Sequence, residues 1–161
     1  MARSLRDDDA GCISTLVLVA LVPRRRLDEN SGGIFERSRM YAIEVQTEFL
    51  AAHQLRLLDG SLEPRHEHRW LVRARVESPQ LDTLETVMDF HVLEAQLRAI
   101  VAPWQGRRLN DLEPFATQMN PSAERVAEHI ASVLAPQIHR PARLVCVRVT
   151  EASHCHAIFT P

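Results

Sequence analysis

The sequence has few cysteines, and the three present are not paired. Cys12, Cys146 and Cys155 are an odd number, no two are spaced as Cys-x-x-Cys, and Cys146 lies in an apolar run. A disulfide scaffold needs paired cysteines, and many structural zinc sites are built from paired thiolates. The cysteine pattern argues against both and favours a reducing, cytoplasmic location.

The sequence also lacks an excess of charge of one sign and a long hydrophobic run. Its 161 residues include 19 Lys and Arg and 21 Asp and Glu, a net charge of −2 with both signs interspersed. No basic face recurs along the predicted helices, so we expect no nucleic-acid partner. The apolar run Cys12–Val22 is too short to span a bilayer as a helix, so we expect no membrane partner.

The beginning of the chain differs from the rest. Cys12–Val22 has the length of a signal-peptide core, but acidic residues precede it where positive charge is needed, and three arginines follow it. Regular patterning begins at Met40. We predict a flexible N-terminal extension or linker over residues 1–39, or a start site assigned too early, and one domain over residues 40–161. A signal peptide or membrane anchor is the alternative interpretation.

Hydrophobic periodicity predicts four strands and two helices within that domain. Asp89 suits the N-cap of the first helix and Pro103 ends it; Asn120 or Ser122 suits the N-cap of the second, which Pro136 ends. The predicted strands are Tyr41–Phe49, His66–Glu77, Leu144–Glu151 and Ala157–Phe159, and the first helix is Asp89–Ala102. In the third strand, one parity carries Val145, Val147, Val149 and Glu151, which we expect to face inward.

This β-β-α-α-β-β order predicts an α+β fold, an antiparallel four-stranded sheet with two helices on one face. The helices leave the other face of the sheet uncovered. We therefore expect a homo-oligomer in which a second copy covers that face.

Histidines open the second strand. His66 and His68 share the parity of Trp70 and Val72, so we expect both imidazoles to point toward the core. Buried imidazoles need partners, which are either hydrogen-bonding groups or a metal ion. His53 offers a third ring, and three histidines with an open fourth position are the ligand set of a catalytic zinc.

Six short segments resemble the 6-pyruvoyl-tetrahydropterin synthase and 6-carboxy-tetrahydropterin synthase family. They follow one another in the family's order, and the resemblance covers the chain from Met40 to its end. The segments are Phe49–His53, similar to Phe-x-Ala-Ala-His; His66–His68, similar to His-Gly-His; Val87–Phe90; Leu109–Asp111; Asn120–Glu124, similar to Asn-Pro-Thr-x-Glu; and Val149–Glu151 with Ala157–Phe159.

The resemblance implies a tunnelling fold, in which subunits join their sheets into a barrel as trimers or hexamers. It implies zinc on His53, His66 and His68, and a pterin whose N–H groups are bound by the carboxylate of Glu151. It thereby implies a zinc-dependent lyase acting on a dihydropterin side chain. Folate, biopterin and deazaguanine (queuosine) pathways all remain open.

The sequence departs from the family at two places. The usual cysteine before His-x-His is replaced by Leu62, and Glu63 stands three residues before His66. That spacing resembles a subgroup that converts dihydroneopterin to 6-hydroxymethyl-dihydropterin, so Glu63 is either a catalytic base or an ordinary loop residue. The family's Asp-His pair is replaced by Gln105 and Gly106. The alternative function is therefore a catalytically degenerate member that binds zinc and a pterin or purine without turnover.

Overall fold

A computed structural model describes residues 39–161 of the chain. The predicted extension over residues 1–39, with its signal-peptide alternative, lies outside the described residues apart from Arg39. The described part contains five strands and two α-helices: β1 Tyr41–His53, β2 His66–Ser78, α1 Phe90–Val101, β3 Arg107–Arg108, α2 Ala123–Leu134, β4 Arg143–Ala152 and β5 Cys155–Phe159. The α+β class and the order of the predicted elements are confirmed.

The strands form one sheet in the order β3-β1-β2-β4-β5. β1 and β2 pair antiparallel along their whole length, from Tyr41 opposite Ser78 to His53 opposite His66. β4 pairs antiparallel with β2, and β5 with β4. Four strands were predicted and the sheet has five. The additional strand is β3, which pairs parallel with the end of β1. Two residues are too few to show a hydrophobic period, and only the tertiary contact makes them a strand.

Both helices pack on one face of the sheet, as predicted. α1 contacts β1, and α2 contacts β4 and β5. The N-cap of α1 is Asp89, whose carboxylate accepts the His91 N–H at 2.7 Å. Of the two candidates for α2, Ser122 is the N-cap, because the side chain of Asn120 is bound elsewhere. Within residues 39–161, no helix is long and apolar enough to cross a bilayer.

The third predicted strand has a bulge that its sequence pattern does not show. The register of β2 with β4 shifts between Arg75 and Val76. Val147 and Val149 are buried as expected, but Leu144 is also buried and Val145 is only partly buried. The expectation for Val145 was therefore wrong, since an extra residue in a bulge reverses the parity on one side of it.

Candidate metal centre

The β1–β2 hairpin brings the three predicted histidines together. His53 ends β1 and lies directly opposite His66 at the start of β2, while His68 lies opposite Ala51. All three side chains are on the face of the sheet that carries the buried Trp70. The ring centroids are 4.4 Å apart for His53 and His66, 4.9 Å for His66 and His68, and 5.3 Å for His53 and His68.

Glu151 reaches the same point from β4. Its Oε1 lies 2.9 Å from Nε2 of His53, 3.3 Å from Nε2 of His68 and 3.9 Å from Nε2 of His66. One ligand atom from each of these four residues lies within 4.8 Å of the others, and no other such group of His, Cys, Asp or Glu occurs in residues 39–161. Glu151 faces inward as expected, and it sits where the β4–β5 register is irregular.

Backbone carbonyls orient two of the three imidazoles. Nδ1 of His53 is 2.7 Å from the carbonyl oxygen of Pro121, and Nδ1 of His66 is 2.8 Å from that of Pro64. A carbonyl oxygen only accepts hydrogen bonds, so each Nδ1 carries the hydrogen and a neutral ring presents the lone pair of Nε2. Metal-bound histidines are oriented in this way by outer partners.

The Nε2 lone pairs of His53 and His68 point at the carboxylate of Glu151, which is also a hydrogen-bond acceptor. Nε2 of His53, on a side chain only 1% exposed, faces a carboxylate oxygen that also lacks a hydrogen. Nε2 of His53 and Nε2 of His68 are buried and have no hydrogen-bond partner among residues 39–161. A metal ion bound at this point would satisfy these converging acceptors, so the residues fit a divalent metal such as zinc, with His and carboxylate ligands.

Partial burial favours the neutral form of one candidate ligand, His68. The pKa of His68 is lowered, chiefly by desolvation, and the positive forms of His53 and His66 lower it further. The negative charge of Glu151 opposes this effect without reversing it. A neutral imidazole is the metal-binding form, so at neutral pH His68 does not need to lose a proton before it can bind.

Glu63 lies beside the histidines rather than out in the loop. Its Oε1 is 3.5 Å from Nε2 of His66 and accepts the Leu55 N–H at 2.8 Å. Its carbonyl oxygen accepts a hydrogen bond from the side chain of Gln54. The structure thus holds a carboxylate next to the candidate metal centre.

Gln105 and Gly106, which replace the family's Asp-His pair, hydrogen-bond to the backbone of β1. Oε1 of Gln105 accepts the Leu50 N–H at 3.0 Å, and the N–H of Gly106 donates to the Leu50 carbonyl at 2.7 Å. Gly106 has a φ of +69°, a conformation that glycine adopts without strain. Both residues bind the edge of β1.

Sequence reasoning missed the groups that orient the imidazoles. Pro64 and Pro121 act through carbonyl oxygens, which every residue has, so no side-chain pattern reveals them. The one available signal was position, since Pro64 comes two residues before His66 and Pro121 lies inside a segment already singled out.

The fold and the site define an α+β protein with a three-histidine, one-glutamate group that can hold a metal. The family model described as 6-pyruvoyl tetrahydropterin synthase matches residues 42–161. The chain belongs to this family, and its fold is the tunnelling fold.

Solved structures agree with the family. A Caenorhabditis elegans 6-pyruvoyl tetrahydropterin synthase is 20% identical with a TM-score of 0.66, covering 76% of this chain and 96% of that one. A Plasmodium vivax 6-pyruvoyl tetrahydropterin synthase is 16% identical with a TM-score of 0.61, covering 76% of this chain and 98% of that one. A catalytic-residue mutant of the vivax protein, glutamate to alanine, is 18% identical with a TM-score of 0.60, covering 76% and 98%. No protein of curated function matches the sequence significantly.

Proposed function

We propose that this protein is a zinc-dependent lyase that acts on the side chain of a dihydropterin. The observation that carries the proposal is the convergence of three imidazole nitrogens and one carboxylate within 4.8 Å. Membership of the 6-pyruvoyl tetrahydropterin synthase family supports a pterin as the substrate class.

His53, His66 and His68 would hold the metal. Bound there, zinc would polarise oxygens of the substrate side chain as a Lewis acid. Glu151 would bind the pterin, because a carboxylate accepts strong hydrogen bonds from ring N–H groups. Its Oε1 lies 2.9 to 3.9 Å from Nε2 of the three histidines. The carboxylate would therefore bind the pterin directly beside the metal.

Glu63 is the proposed general base. Its carboxylate lies 3.5 Å from a proposed zinc ligand, and the Leu55 N–H holds it in place. It would take a proton from the substrate side chain, the step for which many family members use a cysteine. In the vivax relative, too, a glutamate is described as a catalytic residue.

Glu63 is also the residue through which the reaction is tested. Zinc-loaded protein is incubated with dihydroneopterin and, separately, with its triphosphate, and the pterin products are separated chromatographically. We expect a cleaved product from wild type and, for Glu63→Gln, a loss of rate of about 100-fold or more, as for removal of a general base. No product from either substrate at stoichiometric protein would refute the lyase.

A second candidate is a member that binds a pterin or purine without turnover. It is favoured by Gln105 and Gly106, which bind the edge of β1 and supply no charged group. It predicts pterin binding that Glu151→Ala abolishes, with no product. Turnover that Glu63→Gln removes would rule it out.

We further propose a cytoplasmic homo-oligomer, a trimer or hexamer. The sheet face opposite the helices carries exposed or half-buried polar residues such as Gln46, Glu48, Arg69 and Arg73, and neither helix covers it. Light scattering of the purified protein measures the mass, and a monomer at micromolar concentration would contradict this part of the proposal.

A further inference from the structure

The outer edge of β1 is paired in an unusual way. Leu50 bonds to Gln105 and Gly106, and Ala52 pairs with Arg108 of the short strand β3. Alternate residues of a strand present their N–H and C=O groups to the same side. The next groups on this edge belong to Gln54 and Arg56, where β1 and β3 have both ended.

Two asparagine side chains continue the pairing there. Asn110 accepts the Gln54 N–H at 2.9 Å and donates to the Gln54 carbonyl at 2.8 Å. Asn120 accepts the Arg56 N–H at 2.8 Å and donates to the Arg56 carbonyl at 3.0 Å. Each carboxamide makes the two bonds that a neighbouring strand would make. This needs a donor and an acceptor on one short side chain, which asparagine has and alanine or aspartate lacks.

The asparagine pairs lie next to the groups that orient His53. Gln54 follows His53 in the chain, and Pro121, whose carbonyl binds Nδ1 of His53, follows Asn120. The bonds of Asn120 to Arg56 therefore hold the segment that supplies the carbonyl against the segment that supplies the ring.

The same short segment also holds the candidate base. The Leu55 N–H and the Gln54 side chain both bind Glu63. The guanidinium of Arg56 donates to the carbonyls of Phe115 and Met119, which tightens the contact with the chain leading to α2. Residues 54–56 are thus bound on one side by the asparagines and on the other by the loop that carries Glu63.

We propose that Asn110 and Asn120 are positioning residues for the metal centre: they hold residues 54–56 so that His53 keeps its hydrogen on Nδ1 and aims Nε2 at Glu151. The inference deepens the proposed function and rests on it, since it takes the histidines to be zinc ligands. Neither asparagine belongs to the group of candidate ligands, and each acts through its hydrogen bonds to the backbone.

The test compares Asn110→Ala and Asn120→Ala with Gln105→Ala as a matched control. Gln105 makes the same kind of amide-to-backbone bond on the same edge, but to Leu50, three residues before His53. Zinc affinity is measured by competition with a chromophoric chelator, and geometry by the d–d absorption of the cobalt-substituted protein. We expect each asparagine variant to bind zinc about 10–100-fold more weakly, as for other outer partners of metal ligands. We expect Gln105→Ala to bind zinc as wild type does.

Equal weakening in Gln105→Ala, or unchanged affinity and cobalt spectrum in both asparagine variants, would overturn the inference. If an alanine variant does not fold, Asn110→Asp replaces it, because aspartate keeps the shape and the acceptor but removes the donor to the Gln54 carbonyl. We expect Asn110→Asp, like the alanine variants, to bind zinc more weakly than wild type.

A second readout separates this inference from the proposed function. In metal-free protein, long-range ¹H–¹⁵N NMR spectra at fixed neutral pH report which nitrogen of His53 carries the hydrogen. We expect the Nδ1–H form in wild type and Gln105→Ala, and a mixture of forms in Asn120→Ala. If wild type fails to bind zinc, the proposed function fails, while this measurement still decides whether the asparagines orient His53. An unchanged spectrum in Asn120→Ala would refute the inference that Asn120 orients His53.

Discussion

Glu151→Gln should stabilise the metal-free protein. It should also weaken metal binding, because it removes a negative charge that lies beside the three proposed zinc ligands. In wild type, Oε1 lies 2.9 Å from Nε2 of His53, and both atoms are acceptors when the ring is neutral. A glutamine can turn its NH₂ to this position and donate a hydrogen bond. The substitution therefore gives a buried acceptor the partner that it lacks among residues 39–161.

The magnitude follows from the cost of an unpaired buried acceptor. Leaving such a group unpaired costs about 1–3 kcal/mol, so the zinc-free variant should gain stability in that range. The melting temperature should rise by about 4 °C per kcal/mol in a domain of this size. Zinc at 100 times its dissociation constant stabilises a protein by about 2.7 kcal/mol. A tenfold weaker site in the variant would lower that gain by about 1.4 kcal/mol.

The assay is thermal unfolding by circular dichroism at about pH 8, where free imidazoles are neutral, with chelator or with zinc. Glu63→Gln is the matched control, because Oε1 of Glu63 already accepts a backbone N–H and its amide can do the same. We expect the control to change the zinc-free stability by less than about 0.5 kcal/mol. A zinc-free Glu151→Gln less stable than wild type would show that the two acceptors do not face each other unprotonated, and the reasoning would fail.

Three further predictions concern the scaffold. Trp70→Ala should cost about 3–5 kcal/mol in urea unfolding, because this fully buried ring packs against His53 and Phe49; a loss below about 1 kcal/mol would contradict the packing. Ser122→Ala should cost about 1 kcal/mol by removing the N-cap of α2, measured in the same way, while Ser132→Ala on the exposed face should cost less. Burial lowers the pKa of His129 below its usual 6.5, so the unfolded chain takes up the proton first and stability is lost as the pH falls below that value. His129→Gln should therefore unfold with a shallower acid dependence between about pH 7 and 5, and an unchanged slope would show that His129 does not contribute.

Much of the site could be predicted from local pattern. The alternation in β2 placed His66 and His68 on the side of Trp70, and the structure confirms that side. Asp89 was recognised as a helix cap because its carboxylate binds an N–H two residues away. Such interactions span a few residues, so the local sequence contains all the partners.

The interactions that orient the candidate ligands could not be predicted in this way. The carbonyl of Pro121 binds a ring 68 residues earlier in the chain, and the Asn120 side chain binds a backbone 64 residues away. Asn120 looked like a helix cap because its carboxamide suits that role, but in the folded protein it pairs with Arg56. Local propensity does not show which of two partners a carboxamide takes, because the second partner arrives only with the fold.

By itself the sequence determined the α+β class, the order of the predicted elements and three histidines as candidate ligands. Hydrophobic periodicity is sufficient for the first two, and the histidines also needed the ordered motifs that resemble the family. Only the tertiary structure decided the bulge in β4, the short strand β3 and the meeting of Glu151 with His53. These depend on register and on contacts between distant segments, where one extra residue in a bulge changes the face on which a side chain lies.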